Sequence, residues 1–278
     1  MLSFGETIPT RSLITDRTPN HFIVPHGDER YLCIRGAKPG IKVTVTPVSR
    51  VQIRVMKAAE TADFPDVQGH YQWFCIYGNS HGRAKVVFEQ EKHSLTLKCE
   101  VYHWRKMHVN FYLVKDKNGK PTFNASKTHI HINRLDKVYR AQTCVDFHRH
   151  LPTKEVSVDI DCSKKMNATE EQNMWDLFLG KTLRGVRGAN FFNIFVVKAW
   201  GGHDNSSTGY NAWATSHGGL IVIDDSALSN DGPVLPHELG HSLGLSHANS
   251  DGYVMRQGLN KGWKLTWDNV KTVRTFVS

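Results

Sequence analysis

Residues 237–247 combine three histidines, one glutamate and a late glycine in the sequence HELGHSLGLSH. His237 and His241 are four residues apart, so a helix would place both imidazoles on one face, where they can bind the same metal ion. Glu238 lies beside that face, within reach of a water on the metal. Gly244 stands where the helix has to end, since glycine adopts a positive φ without strain. The chain can then turn back and bring His247 to the same ion.

This set of side chains predicts a catalytic metal centre. Three nitrogen ligands and one open coordination position are typical of a catalytic rather than a structural zinc site. Imidazole ligands without thiolates suit Zn²⁺. A neighbouring carboxylate can take a proton from the attacking water and later donate it to a leaving amine. We therefore expect one Zn²⁺ ion held by His237, His241 and His247, with Glu238 as the general base.

The pattern HExxHxxGxxH, followed by Met255 eight residues after the last histidine, resembles the metzincin zinc metalloproteases over roughly residues 135–278. The helix is most similar to that of the matrixins. The resemblance implies hydrolysis of peptide bonds, and it implies that Met255 forms a tight turn beneath the imidazoles. Ala248 leaves the subfamily open. Gln257 stands where some metzincins have a fifth, tyrosine ligand, so no such ligand is expected.

The same resemblance implies a substrate-binding strand shortly before the active helix. In metzincins the strand in this place is an open edge that pairs with extended substrate. We therefore expect Gly219, Leu220, Ile221 and Val222 to bind a protein or peptide substrate through their backbone. An internal strand is the alternative.

Two further groups of residues leave alternatives open. His203, Asp204 and His217 suggest a second, structural metal site of the matrixin kind, although solvent-exposed loop histidines would explain them as well. The five cysteines are odd in number and form no CxxC motif, so a cysteine zinc site is not expected. In an oxidising compartment the bridges Cys144–Cys162 or Cys75–Cys99 are conceivable.

The elements that must position these residues divide the chain into two parts. From about residue 20 to 132, short segments alternate apolar and polar residues between Gly, Pro, Asn and Asp, which predicts a β-sandwich or barrel. Asn118–Gly119 predicts a hairpin between strands ending at 114 and starting at 122. Residues 128–132 are interpreted as the last strand or a crossing into the next part.

The second part mixes strands with helices. Residues 138–147, 156–160, 191–197 and 219–223 are predicted strands. One helix is predicted to open at a capping box at Thr169, and another at Thr266, where Leu265 and Val270 form a hydrophobic staple. We therefore predict an α+β protein of two domains. Residues 1–129 form an all-β, sandwich-like accessory domain, and residues 130–278 form a metzincin-type catalytic domain with a twisted mixed sheet and helices.

The net charge of +9 lies almost entirely in the predicted accessory domain. Residues 1–129 contain 19 Lys and Arg against 11 Asp and Glu, an excess of eight, whereas residues 130–278 contain 16 and 15. Because no run of five basic residues occurs, we expect no nucleic-acid partner. Solvated basic side chains are the simpler explanation of the charge, and docking to an inhibitor, an immunity protein or a delivery partner is the alternative.

The location of the protein is inferred only from features that the sequence lacks. No apolar run approaches 18 residues, so no membrane span is expected. The N-terminus shows no basic start followed by an apolar block, which leads us to expect export by a signal-independent route, as for a bacterial toxin-like effector. Two alternatives to a protease remain, namely a zinc hydrolase acting on a non-protein amide such as a cell wall peptide, and a binding protein with a vestigial zinc site.

Overall fold

The computed structural model describes residues 2–4, 20–61, 64, 69–181, 191–202, 212–215, 219–229, 232–249, 251–257 and 262–278. The chain forms two compact units. The first unit comprises Met1–Arg105, Tyr139–Val145 and Leu265–Val270, and the second comprises Lys106–Val138, Asp146–Lys264 and Lys271–Ser278. The units divide the chain before residue 129, and the independent domain boundary at that residue stays a prediction.

The first unit is a β-sandwich. Its strands are β1 (Ser3–Phe4), β2 (His21–Pro25), β3 (Glu29–Arg35), β4 (Lys42–Thr46), β5 (Val51–Val55), β6 (Tyr71–Gly78), β7 (Gly82–Gln90) and β8 (His93–Tyr102). One sheet has the order β1-β3-β6-β5 and the other the order β2-β8-β7-β4. All neighbours are antiparallel except β2 and β8, which run parallel. The predicted all-β sandwich is confirmed.

The two sheets of the sandwich pack through apolar side chains that alternate along each strand. Leu32 and Ile34 of β3 point inward beside Phe74 and Ile76 of β6. From the other sheet, Phe88 meets the ring of Phe74 edge-on at 5.0 Å. Both rings are completely buried, and burial of each stabilises the fold by about 1.5–3 kcal/mol.

The second unit is built on a six-stranded sheet flanked by helices. Its strands are β9 (Arg105–Lys115), β10 (Val145–Arg149), β11 (Lys154–Ser157), β12 (Phe191–Val197), β13 (Ala212–Ala214) and β14 (Leu220–Asp224), in the order β10-β9-β12-β14-β13 with β11 also on β9. Strands β9, β12 and β14 are parallel, whereas β13 runs antiparallel to β14. The helices are α1 (Thr128–Thr143), α2 (Ala168–Lys181), α3 (Asp225–Ser229), α4 (Val234–Ser242) and α5 (Trp267–Val277). The predicted α+β class with a mixed sheet is confirmed.

Helix α1 corrects two sequence predictions. Residues 128–132 form its first turns instead of a strand, and residues 138–143 its last turns. The buried positions His131, Leu135, Val138 and Gln142 recur every three to four residues. This helical stripe over 16 residues outweighs a five-residue alternation that favours a strand.

The predicted hairpin is only a turn. Asp116 and Gly119 exchange backbone hydrogen bonds of 3.3 and 3.0 Å, and Gly119 has a φ of 106°. No strand follows at residue 122 in the described chain, because Thr122 donates its backbone N–H and hydroxyl to the Asp225 carboxylate, each at 2.6 Å. The local turn signal was therefore correct and the pairing beyond it was wrong.

The N-terminal caps of α5 and α2 can be compared with their sequence predictions. Thr266 and Asn269 exchange reciprocal side-chain and backbone hydrogen bonds of 3.0 and 3.1 Å, which confirms the predicted start of α5. Helix α2 begins two residues before the predicted box. Its cap is Asn167, whose side chain accepts from the N–H groups of Thr169 and Glu170, and Glu170 accepts the N–H of Asn167 in return.

All five cysteines are buried, and neither of the two candidate disulfides is formed. Burial, with the Glu29 carboxylate beside it, raises the pKa of Cys75 to about 12. Burial alone raises the pKa of Cys99. These thiols stay protonated and serve as packing groups. No helix among the described residues is long and apolar enough to span a membrane.

Acid should destabilise the second unit through His131. This side chain is 5% exposed, its Nδ1 has no hydrogen-bond partner, and burial lowers its pKa to about 4. The unfolded chain binds a proton near pH 6.5 and the folded chain does not, so the free energy of unfolding falls as the pH drops from about 6.5 to about 4, by up to about 3 kcal/mol.

We expect His131→Leu to remove this part of the pH dependence, measured as the difference between urea denaturation curves at pH 7 and pH 4.5. The exposed His129 on the same helix provides the control, and His129→Gln should keep the pH dependence of the native chain. An unchanged pH dependence in His131→Leu would contradict the assignment.

Candidate metal centre

Helix α4 carries the first two histidines of the motif and starts directly after Pro233. Pro233 caps the helix, and its carbonyl accepts the N–H of His237 at 3.0 Å. Pro236 lies in the first turn, where an N–H would have no intrahelical acceptor, so its missing donor costs nothing. The helix is buried on several sides, including Leu235 and Leu239.

The end of α4 is a Schellman turn. Gly244 has a φ of 83°, its N–H donates to the carbonyl of His241 at 2.9 Å, and Leu245 N–H donates to the carbonyl of Gly240 at 2.9 Å. The predicted positive φ at Gly244 is confirmed. Because the helix stops here, the following residues turn back toward it.

The turn brings the three predicted ligands together. One ring nitrogen from each of His237, His241 and His247 lies within 4.8 Å of the others. The Nε2 atoms of His241 and His247 are 3.1 Å apart, and the three ring centroids are separated by 4.7 to 5.2 Å. His237 is buried, His241 is half-buried and His247 is exposed, so the group opens to solvent on one side.

Backbone carbonyls orient two of the imidazoles. His237 Nδ1 donates to the carbonyl of Val254 at 2.7 Å, and His241 Nδ1 donates to the carbonyl of Leu245 at 2.8 Å. These bonds fix the tautomer and leave each Nε2 lone pair for a cation. Two nitrogens at 2.0–2.1 Å from a tetrahedral Zn²⁺ are about 3.3 Å apart, close to the separation seen between His241 and His247. This pair therefore has the spacing of two zinc ligands, and a nitrogen of His237 lies within 4.8 Å of both. The sequence gives no sign of the two orienting carbonyls, since any residue type provides one.

Met255 lies in a tight turn that is tied to the ligand segments. The Arg256 N–H donates to the carbonyl of Tyr253 at 3.2 Å across this turn, and Met255 is completely buried. The Met255 carbonyl accepts the N–H of Ala248, which follows the third histidine, at 2.7 Å. Since His237 bonds to the neighbouring carbonyl of Val254, the turn is connected to both ends of the motif. The role of Met255 as the floor of the site stays a prediction.

Glu238 follows His237 in α4 and is 8% exposed. A carboxylate next to a metal ligand and largely removed from bulk water suits a group that exchanges a proton inside a closed site. Its role as general base stays a prediction.

The strand predicted to bind substrate is not an open edge. Strand β14 lies between β12 and β13, where Ile221 pairs with Ile194 on one side and with Ala214 on the other. The carbonyl of Gly219 accepts the N–H of Asn193, and that of Leu220 accepts the N–H of Thr215. The open edge is therefore contradicted at Ile221 and Val222, which the short antiparallel strand β13 covers, and the binding of substrate by residues 219–222 stays a prediction. Within the described residues β13 is the outermost strand on this side.

The second metal site suggested by His203, Asp204 and His217 falls outside the described residues. The sequence signal missed β13 because three residues, Ala212–Ala214, are too few to show an alternation. Helix α4 packs against both β13 and β14. The outer edge of the sheet thus lies next to the helix that carries two of the histidines.

Comparisons with known proteins do not identify a family for this chain. No protein-family model matches the chain, and no curated protein matches it either. Among solved structures, metalloproteinase-II from Bacteroides fragilis aligns at 11% identity over 92% of this chain and 85% of that chain, with a TM-score of 0.40. Archaemetzincin from Archaeoglobus fulgidus aligns at 16% identity over 60% and 99%, with a TM-score of 0.36.

The surface layer protein SbsC aligns at 9% identity, with a TM-score of 0.23, over 30% of this chain, and this chain spans only 12% of SbsC. TM-scores this low do not establish a shared fold, so the interpretation of the metal centre depends on its own residues.

Replacement of Gly244 tests the turn that brings His247 to the site. Gly244→Ala forces a side chain into the left-handed region, at a cost of about 1–2 kcal/mol. We expect lower stability in urea denaturation and weaker zinc binding in a chelator competition, because His247 follows the turn. Gly180 is the matched control, since it lies exposed in α2 with open space around its Cα. Gly180→Ala should bind zinc normally, and equal zinc affinity in both variants would contradict the role of the turn.

Proposed function

We propose that the chain is a zinc-dependent endopeptidase of the metzincin type. The proposal is supported by the three imidazoles that lie close together. In two of them, His237 and His241, Nδ1 is hydrogen-bonded to a backbone carbonyl. A structural zinc site would close all four coordination positions with protein ligands. Here three histidines meet with one side exposed, which leaves room for water and substrate.

Each residue of the site has a separate role in the proposed peptide hydrolysis. His237, His241 and His247 would hold the ion, which when bound supplies a Lewis acid for the scissile carbonyl and lowers the pKa of water in the site to near 7. The carbonyls of Val254 and Leu245 keep two of the rings in place. The Glu238 carboxylate would accept a proton from the attacking water on one oxygen and deliver it to the leaving amine. We assign Met255 to the hydrophobic support beneath the imidazoles.

We place the peptide substrate at the outer edge of β13. An extended peptide can add to the edge of a sheet as a further strand. Strand β13 supplies this edge in the described part of the sheet, and α4 packs against it. This assignment differs from the expectation for residues 219–222, because Ile221 and Val222 pair with both β12 and β13.

Export, an effector role and docking of a partner on the basic first unit remain predictions from the sequence. The same holds for the two alternative activities, on a non-protein amide or as a binding protein alone.

Replacement of Glu238 separates these activities. Glu238→Gln keeps the shape of the side chain and removes its capacity to accept a proton, so we expect zinc binding to persist and cleavage of casein to fall by about 10²–10⁴-fold. Zinc content by mass spectrometry and release of peptides from casein would measure the two effects.

Glu155→Gln is the control, because Glu155 is an exposed carboxylate of the second unit whose partner is Lys120. It should leave both quantities unchanged. Cleavage of isolated peptidoglycan without cleavage of casein would favour the amide hydrolase. An unchanged rate in Glu238→Gln would overturn the assigned base, and absence of any hydrolysis by the native zinc-loaded chain would favour the binding protein.

A further inference from the structure

A second group of histidines lies at the opposite edge of the sheet from β13. Strands β10, β9 and β12 are neighbours there. His150 directly follows β10, His108 lies in β9 and Phe191 begins β12. Their three ring centroids are each 5.0 Å apart. His150 is tied to β9 by its backbone N–H, which donates to the carbonyl of Val109 at 3.1 Å.

Alternation along β10 adds a third histidine to this face. Val145 and Phe147 are buried, whereas His148 and His150 are exposed. Side chains two residues apart on a strand share a face, so His148 joins His150 on the side of His108. His148 in β10, His150 directly after β10 and His108 in β9 thus place three imidazoles on one face of the sheet.

Two features of these side chains point to a bound cation. His148 Nε2 is hydrogen-bonded to the Asp146 carboxylate at 3.0 Å, and a carboxylate on one ring nitrogen raises the basicity of the other nitrogen as a ligand. His108 Nδ1 is buried without a hydrogen-bond partner. A buried lone pair or N–H without a partner costs about 1–3 kcal/mol, and a metal ion would satisfy it.

The surroundings of His108 disfavour protonation of its imidazole. Burial and the neighbouring His150, His148 and Lys106 lower the pKa of His108. Phe191 walls one side of the group and keeps water from the ring that it stacks on, 24° from parallel.

We propose that His108, His148 and His150 form a second binding site for a divalent transition-metal ion, separate from the site of His237, His241 and His247. Imidazole ligands suit ions such as Zn²⁺, Cu²⁺ and Ni²⁺, and Asp146 orients His148 for the ion. The side chain of His148 is exposed and turns toward the other two rings by rotation about its own bonds, which is fast for an exposed residue.

Calorimetric titration of Zn²⁺ into the metal-stripped full chain tests the site. We expect two binding events for the native chain. The double variant His108→Gln, His150→Gln should lose one event while keeping the other and its peptidase activity, which also reports that the chain is folded. Asp146→Asn should weaken that same event by about tenfold or more. His241→Ala should remove the other event and leave the strand site intact.

The matched control is a second histidine pair, His26 and His103 of the first unit, whose ring centroids are 4.5 Å apart. The variant His26→Gln, His103→Gln should keep both events. A single event in the native chain that His241→Ala abolishes would overturn the strand site and leave the proposed catalytic site standing. Loss of an event in the His26, His103 variant, with none lost in the His108, His150 variant, would also overturn it. If instead the strand event persists and no peptidase activity is found, only the proposed function fails.

Discussion

The reversal of the chain at Gly244 is the constraint on which the metal centre depends. A continuing helix would carry His247 away from His237 and His241, since six further residues add about 9 Å along the axis. The positive φ of Gly244 and its two Schellman hydrogen bonds stop the helix after Ser242. The same turn places the Leu245 carbonyl where His241 Nδ1 donates to it. One backbone conformation thus supplies both the third ligand and the orientation of the second.

A second loop completes this arrangement from outside the helix. The turn around Met255 offers the Val254 carbonyl to His237 and the Met255 carbonyl to Ala248. A backbone acceptor restricts the imidazole that donates to it, because the turn is itself fixed by its own hydrogen bonds and by the complete burial of Met255. Backbone hydrogen bonds from both turns therefore fix the orientation of two of the three imidazoles.

Sequence and structure agree best where the determinants are local. The spacing of the three histidines, the positive φ of Gly244 and the cap at Thr266 involve residues within one or two turns, and all three were predicted. Strand pairing is decided by residues far apart, and it was predicted less well. Three residues of β13 cover β14, although no alternation of that length is visible in the sequence. In α1, a stripe of four buried positions outweighs the five-residue alternation at its start. The Asn118–Gly119 turn formed without its second strand, because Thr122 finds a partner in Asp225, 103 residues away.

The burial of Glu238 links the chemistry of the site to its stability. A carboxylate that is 8% exposed has lost most of its hydration, which costs several kcal/mol unless opposite charge or hydrogen bonds compensate. A divalent ion held by the adjacent histidines would provide that opposite charge, and three neutral ligands bring no negative charge that would reduce it. Cation binding by the three histidines would then also stabilise the folded form of α4. If Glu238 is the general base, as proposed, it is coupled to two of the ligands through the helix that carries all three residues.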